Sequence, residues 1–138
     1  MKFFRFLGFK KKPNAPWSKY YQKKDMNLSV PDISLYDNFL NSMKKYPNHN
    51  AIDYFGTKIT YKDLVSKVDL CAKAFLSYGI RKNDVVTICM PNTPEGVISF
   101  LALNKIGAIS NMIHPLASMN EIKNDLTETG SVMMVLID

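Results

Sequence analysis

The stretch Asp84–Ile109, DVVTICMPNTPEGVISFLALNKIGAI, decides the fold class. Its first seven residues, Asp84–Met90, are a mostly apolar run rich in β-branched side chains, short enough for a strand covered on both faces. Thr93 followed by Pro94 is an N-cap with a proline at the first helical position, which opens a helix from Pro94 to Ile106. Val97, Ile98, Phe100, Leu101, Ala102, Leu103 and Ile106 leave that helix a narrow polar side, so it is expected to be covered nearly all round. Gly107 closes it and Ala108–Ile113 starts a second strand. Strand, helix and strand in 30 residues make a parallel unit with a right-handed crossover.

The same grammar continues in both directions. Toward the C-terminus, Ser118 with Glu121 three residues on reads as a capping box, Gly130 ends that helix, and Val132–Ile137 is a further apolar strand. Toward the N-terminus, Thr60 with Asp63 opens a helix that carries Leu64, Val68, Cys71, Ala72, Phe75 and Leu76 and stops at Gly79. Before it, Ala51–Phe55 and Lys58–Thr60 form a hairpin joined at Gly56-Thr57. Earlier still, Ser34 with Asp37 starts a helix whose stripe is Leu35, Phe39, Leu40 and Met43 and which Pro47 ends. The pattern predicts an α/β fold: an incomplete, doubly wound parallel sheet with an N-terminal β-hairpin.

Residues 1–31 keep no period, and Pro13, Pro16 and Pro31 interrupt them; they are expected to be a basic arm, with a short amphipathic turn at Phe3–Leu7. Residues 32–138 are expected to be one partial domain, truncated at its C-terminus. The net charge of +6 hides an asymmetry. Residues 1–24 hold eight Lys or Arg and no acid, which leaves ten bases against twelve acids in the remainder. The arm is thus +8 and the body −2, a distribution that argues against nucleic-acid binding, where the folded surface carries the positive charge. Lys2, Arg5, Lys10, Lys11 and Lys12 with four phenylalanines give residues 1–12 a weak capacity for an anionic membrane surface. No apolar run reaches the ~18 residues of a membrane span, and the apolar stretch at the N-terminus is short for a signal peptide, which places the protein in the cytoplasm. Cys71 and Cys89, without ligand-like spacing, read as buried free thiols.

Ligands of an open parallel sheet gather beyond the carboxyl ends of its strands. Two such turns lie here, Met90-Pro-Asn-Thr93 and His114-Pro-Leu116. The six glycines never fall at G-x-G-x-x-G or P-loop spacing, which argues against a dinucleotide or P-loop site. Thr93 reads as a helix cap rather than an anion site, and Glu95 in the first turn would repel an anion. His114 has no second histidine or carboxylate cluster nearby in sequence, His49 lies in a solvated loop, and two histidines with two distant cysteines make no zinc site. Met112, Met119, Met133 and Met134 read as core filling. No catalytic, cofactor-binding or metal residue is assigned.

Several segments carry a likeness. Ile59-Thr-Tyr-Lys-Asp-Leu64 is similar to the "[L/I]-T-Y-x-[E/D]-L" opening of adenylate-forming enzymes. Asp84–Glu95 resembles their "D-x-V-[A/T]-[I/L]-x-x-P-N-[T/S]-x-E" strand and turn. Leu103–Ile109 with His114-Pro115-Leu116 resembles "L-x-K-[I/A]-G-A…N-P-L", with His114 where the family usually has asparagine. Trp17-Ser-Lys-Tyr-Tyr21, Val30-Pro31 and Ser34–Asp37 look like the leader of long-chain fatty acid–CoA ligases, so that the likeness spans residues 17–138. The resemblance implies an N-terminal fragment of an enzyme that activates a fatty acid with ATP and Mg²⁺ to an acyl-adenylate and transfers it to coenzyme A. The family's phosphate loop, acyl tunnel and catalytic lysine match no position here, so these residues alone are expected to be inactive. A sheet that stops at its last strand is expected to expose an apolar edge and to self-associate. An alternative reading is a non-catalytic interaction module that completes its sheet with a partner chain.

Overall fold

The computed structural model describes residues 16–22 and 31–137; the turn expected at Phe3–Leu7 lies outside them. The chain divides into two units, Met1–Asp32 and Ile33–Asp138. In the first, Pro16–Tyr20 form a single 3₁₀ turn in which Trp17 and Tyr20 are exposed.

The second unit runs α1 (Leu35–Lys45), β1 (Asn50–Tyr54), β2 (Thr57–Thr60), α2 (Tyr61–Ser77), β3 (Val85–Cys89), α3 (Pro94–Ile106), β4 (Ile109–Ile113), α4 (Met119–Thr129) and β5 (Met133–Leu136). β1 and β2 form an antiparallel hairpin. The other three strands form a parallel sheet in the order β4-β3-β5. Strand order reverses at β3: the chain moves out to β4 and then crosses back past β3 to β5. With right-handed crossovers, α3 and α4 therefore lie on opposite faces, which is the doubly wound arrangement.

The two faces differ in chemistry. Val86 and Ile88 of β3 are fully buried and point toward α2 and α3, where Leu64, Val68, Ala102 and Leu103 are also sealed. Met133 and Val135 of β5 join the same core. Thr87 points the other way, toward α4, and is equally sealed. α2 and α3 pack along each other, and α1 lies against both.

Four expectations change in detail. The hairpin turn is Phe55-Gly56, not Gly56-Thr57, because a two-residue loop that matches the strand twist needs positive φ at both positions; here they are 48° and 82°. In α1 the inward residue is Tyr36 rather than Leu35, which is half exposed, because Tyr36 reaches α2 and α3 through polar contacts as well as its ring. Leu76 is exposed, since it falls on the margin of the α2 stripe beyond Phe75. Covering on both faces holds for β3 but not for the outer strands: Ile109, Met112 and Leu136 are half exposed, and Met112 and Met119 do not fill a core.

The caps show how chain length of an acid decides geometry. At α4, Ser118 Oγ accepts from Glu121 N–H while Glu121 Oε2 accepts from Ser118 N–H at 2.7 Å, a complete capping box. At α1 and α2, Asp37 and Asp63 are one methylene shorter and instead accept from the capping hydroxyls of Ser34 and Thr60, each at 2.7 Å. The carbonyls of His49 and Pro47 complete the start of α2 by accepting from Tyr61 and Lys62 N–H, both at 3.0 Å, which docks the hairpin entry onto the helix. Gly107, at φ 77°, ends α3 and accepts from Asn83 N–H at 2.9 Å. Among the described residues no helix is long and apolar enough to cross a membrane.

Candidate functional site: the carboxyl rim of the sheet

The rim is built from the turns that leave β3 and β4. After β3 the chain turns through Pro91 and Asn92, and Thr93 caps α3, its Oγ1 accepting from Gly96 N–H at 3.3 Å. Thr93, Pro94 and Gly96 are buried there, with Gly96 set so tightly that a Cβ would stand 3.4 Å from the Met90 side chain and the Pro91 carbonyl. Thr93 thus occupies the Gly96 amide at the helix start. Glu95 remains outside in the first turn.

After β4, His114 closes the second turn. Its Nδ1 accepts from Leu116 N–H at 3.1 Å. Nδ1 of histidine lies as many bonds from Cα as Oδ1 of asparagine, so His114 makes the same side-chain-to-backbone turn that an asparagine would make. The departure from the family pattern thus keeps the hydrogen bond. Across the turn stands Glu121: the Ser118 backbone and side chain, with the nearby His114, hold its carboxyl below the usual value. A shallow pocket of about 390 Å³ lies between Ile113, His114, Ala117, Ile122 and Asp125.

A larger cleft of about 760 Å³ opens beside the first turn, between α1, the hairpin and the start of α3. Phe39, Ile52, Tyr54, Tyr61, Val97 and Phe100 make its wall mostly apolar. Sequence reasoning missed this cleft because it forms between elements that are distant in sequence.

The turn at the start of α3 does not fit a nucleotide phosphate or its Mg²⁺. A phosphate cradle needs free backbone amides beside closely spaced glycines. At α3 the Gly96 amide is taken by Thr93, and Glu95 adds negative charge. Among the described residues no cluster of three metal-ligating side chains exists. Cys89 is buried and Cys71 half buried, both free; burial pushes the Cys71 thiol up, away from a reactive thiolate. His49 is solvent-exposed against Tyr46.

Residues 39–137 match the family described as AMP-binding enzyme. The chain is 31% identical over 125 residues to an acetyl-coenzyme A synthetase of Paraburkholderia phymatum, covering 91% of this chain and 19% of that one. It is 26% identical over 124 residues to a long-chain-fatty-acid–CoA ligase of Bacillus subtilis, covering 89% of this chain and 22% of the ligase. Among solved structures, the N-terminal subdomain of Klebsiella oxytoca NpsA superposes with a TM-score of 0.73 at 27% identity, over 76% of this chain and 28% of that one. The chain spans about a fifth of the length of the curated relatives it matches.

Proposed function

The chain belongs to the AMP-binding enzyme family, and from that premise we propose that it is the N-terminal part of an acyl-CoA synthetase that joins a fatty acid to coenzyme A through an acyl-adenylate. In this reading residues 1–31 are an arm and 32–138 the first part of the large domain; ATP, Mg²⁺ and coenzyme A bind to polypeptide other than these residues. The observation that carries the reading is the match over residues 39–137 combined with a rim whose turns are closed by their own caps. Such turns serve as scaffold for a site, and the phosphate-binding groups are supplied elsewhere. A fatty acid as substrate is supported by the likeness to a long-chain ligase and by the basic, phenylalanine-rich residues 1–12, which suit an enzyme working in the cytoplasm against an anionic membrane surface, while the 31% identity to an acetyl-coenzyme A synthetase supports a short acid.

The test is to identify, with an antibody to residues 33–137, the native polypeptide that carries this sequence, and to assay it with ATP, coenzyme A and acids from acetate to palmitate. Palmitoyl-CoA formation is the expected result. Thioester formed from acetate alone overturns the fatty-acid assignment, and no thioester from any acid overturns the ligase.

One observation favours a second reading, a module that completes its sheet with a partner chain or a second copy. β5 is an edge strand with half-exposed residues, and a groove lined by Cys71, Phe75, Tyr78, Met133 and Val135 runs between it and α2. An apolar parallel edge is a template for pairing. Size-exclusion of the 138-residue chain separates the two: a defined dimer supports the module, and a monodisperse monomer refutes it.

A further inference from the structure

α4 is attached to the sheet in a way unlike any other helix of the second unit. α1, α2 and α3 each bury at least one side chain, and α3 buries six residues. α4 buries none: its inward face, Ile122, Asp125, Leu126 and Thr129, is only half covered, and Met119 at its start is 80% exposed. The face it rests on is mixed, with Cys89, Ile109 and Ile113 beside Thr87 and Asn111, and the specific link is polar. Asn111 of β4 donates one amide hydrogen to Asp125 of α4 and the other to Thr87 Oγ1 of β3 at 3.0 Å. Thr87 donates in turn to Ser131 Oγ at 2.8 Å, and Ser131 donates to the Met133 carbonyl at 3.0 Å. Every donor in this chain is used; it joins β3, β4 and the turn at Ser131, whose N–H also donates to the Leu126 carbonyl of α4 at 3.1 Å.

We propose that α4 is a flap over the Thr87 face of the sheet, latched by the Asn111–Asp125 pair, which opens as a unit while α2, α3 and the core on the other face stay folded. Elements with little buried apolar surface open at lower free energy than the core. The connection at one end is Gly130, at φ 63°, and at the other the His114–Ala117 turn, so both ends have a natural pivot. Opening about Gly130 leaves the side chains of Thr87, Asn111 and Ser131 bonded to one another and breaks, beyond the latch, the bond from Ser131 N–H to the Leu126 carbonyl. It uncovers Cys89, which shares the Thr87 face by the two-residue period of the strand and is sealed in the closed form, its thiol beside the His114 carbonyl. The flap controls access to the carboxyl rim from the side opposite α3.

Hydrogen exchange followed by mass spectrometry tests this on the 138-residue chain. Amides of 119–129 are expected to exchange through openings at least about tenfold more frequent than those of 94–106, with little dependence on urea. Asp125→Ala removes the latch while raising helix propensity, so faster opening cannot reflect a poorer helix. It is expected to raise the opening constant of 119–129 by roughly ten- to a hundredfold, the range for a hydrogen bond to a charged group, with 94–106 unchanged. In a Cys71→Ser background, alkylation of Cys89 is expected to accelerate by the same factor. Equal opening and equal urea dependence for α4 and α3 in the unsubstituted chain overturns the proposal. So does an Asp125→Ala chain that loses protection in α3 as well, since the pair then holds the whole fold, or a folded one in which Cys89 reacts no faster.

Discussion

The backbone N–H of Tyr36 donates to Asn104 Oδ1 at 2.7 Å, joining the first turn of α1 to the last turn of α3 across 68 positions of sequence. The amide of Tyr36 is one of the four that a helix start leaves without an intrahelical acceptor, and a side chain from another helix supplies the acceptor. The Tyr36 hydroxyl donates to Asp69 of α2 at 3.1 Å, and Lys105 of α3 both pairs with Asp69 and lies 5.1 Å from the centre of the Tyr36 ring. Three helices meet at this one node. Asn104→Ala leaves a partly buried donor unsatisfied and is expected to destabilise by about 1–3 kcal/mol, whereas Tyr36→Phe removes one hydroxyl bond and costs about 0.5–1.5 kcal/mol. Urea denaturation of both variants checks the order; a larger loss for Tyr36→Phe contradicts it.

The node also sets a pH dependence. Burial pushes the Asp69 carboxyl up, but hydrogen bonds from Lys105 and Tyr36 outweigh it together and leave the group below its ordinary value of 3.8. Glu121 is held below its ordinary 4.5 by the Ser118 cap. A carboxyl with a depressed folded value binds its proton more weakly when folded. Its stabilisation is present above the ordinary value and is lost as pH falls through the depressed one. Thermal stability is therefore expected to fall below about pH 4.5, and Asp69→Asn with Glu121→Gln is expected to flatten that fall while lowering stability at neutral pH. An unchanged slope in the double variant contradicts the assignment.

Phe55 holds φ 48° at the hairpin tip with its side chain 93% exposed, so the strain is offset by little packing. Phe55→Asn places at the first turn position a residue that visits the left-handed region readily. It is expected to stabilise the chain by about 1 kcal/mol, the scale of the left-handed penalty. A destabilised Asn variant in the same denaturation experiment shows that the Phe55 ring packs on Tyr54 to greater effect than its exposure implies.

His114 is expected to tolerate asparagine and not alanine. His114→Asn keeps an acceptor for Leu116 N–H at the same distance along the side chain and leaves stability within about 0.5 kcal/mol. His114→Ala loses the bond, at a cost of about 0.5–1.5 kcal/mol. Equal losses for the two variants refute the turn assignment.

Sequence reading reached the elements, their order and the helix ends because each rested on a local rule. Thr93-Pro94, Ser118 with Glu121, and Gly107 encode their own backbone geometry. It failed where the outcome depends on distant partners. Tyr36 rather than Leu35 faces inward because Asn104, Asp69 and Lys105 wait on other helices. Met112 looks like core in the string NMIHP and lies half exposed because it stands on the edge strand β4 at the open cleft beside α3. The rim turns were legible as turns, and His114 as a departure from the family's asparagine. That the imidazole reproduces the asparagine bond required coordinates. The apolar cleft beside α3 was invisible, since its walls come from five separate elements.

If these residues furnish the scaffold of an AMP-binding fold and not its chemistry, as proposed, they form no acyl-adenylate alone. Pyrophosphate release by the purified 138-residue chain, given ATP, Mg²⁺ and palmitate, tests it most directly. No release above the rate without protein is expected; sustained release, abolished by heat-unfolding the chain, is the opposite result and overturns the proposal.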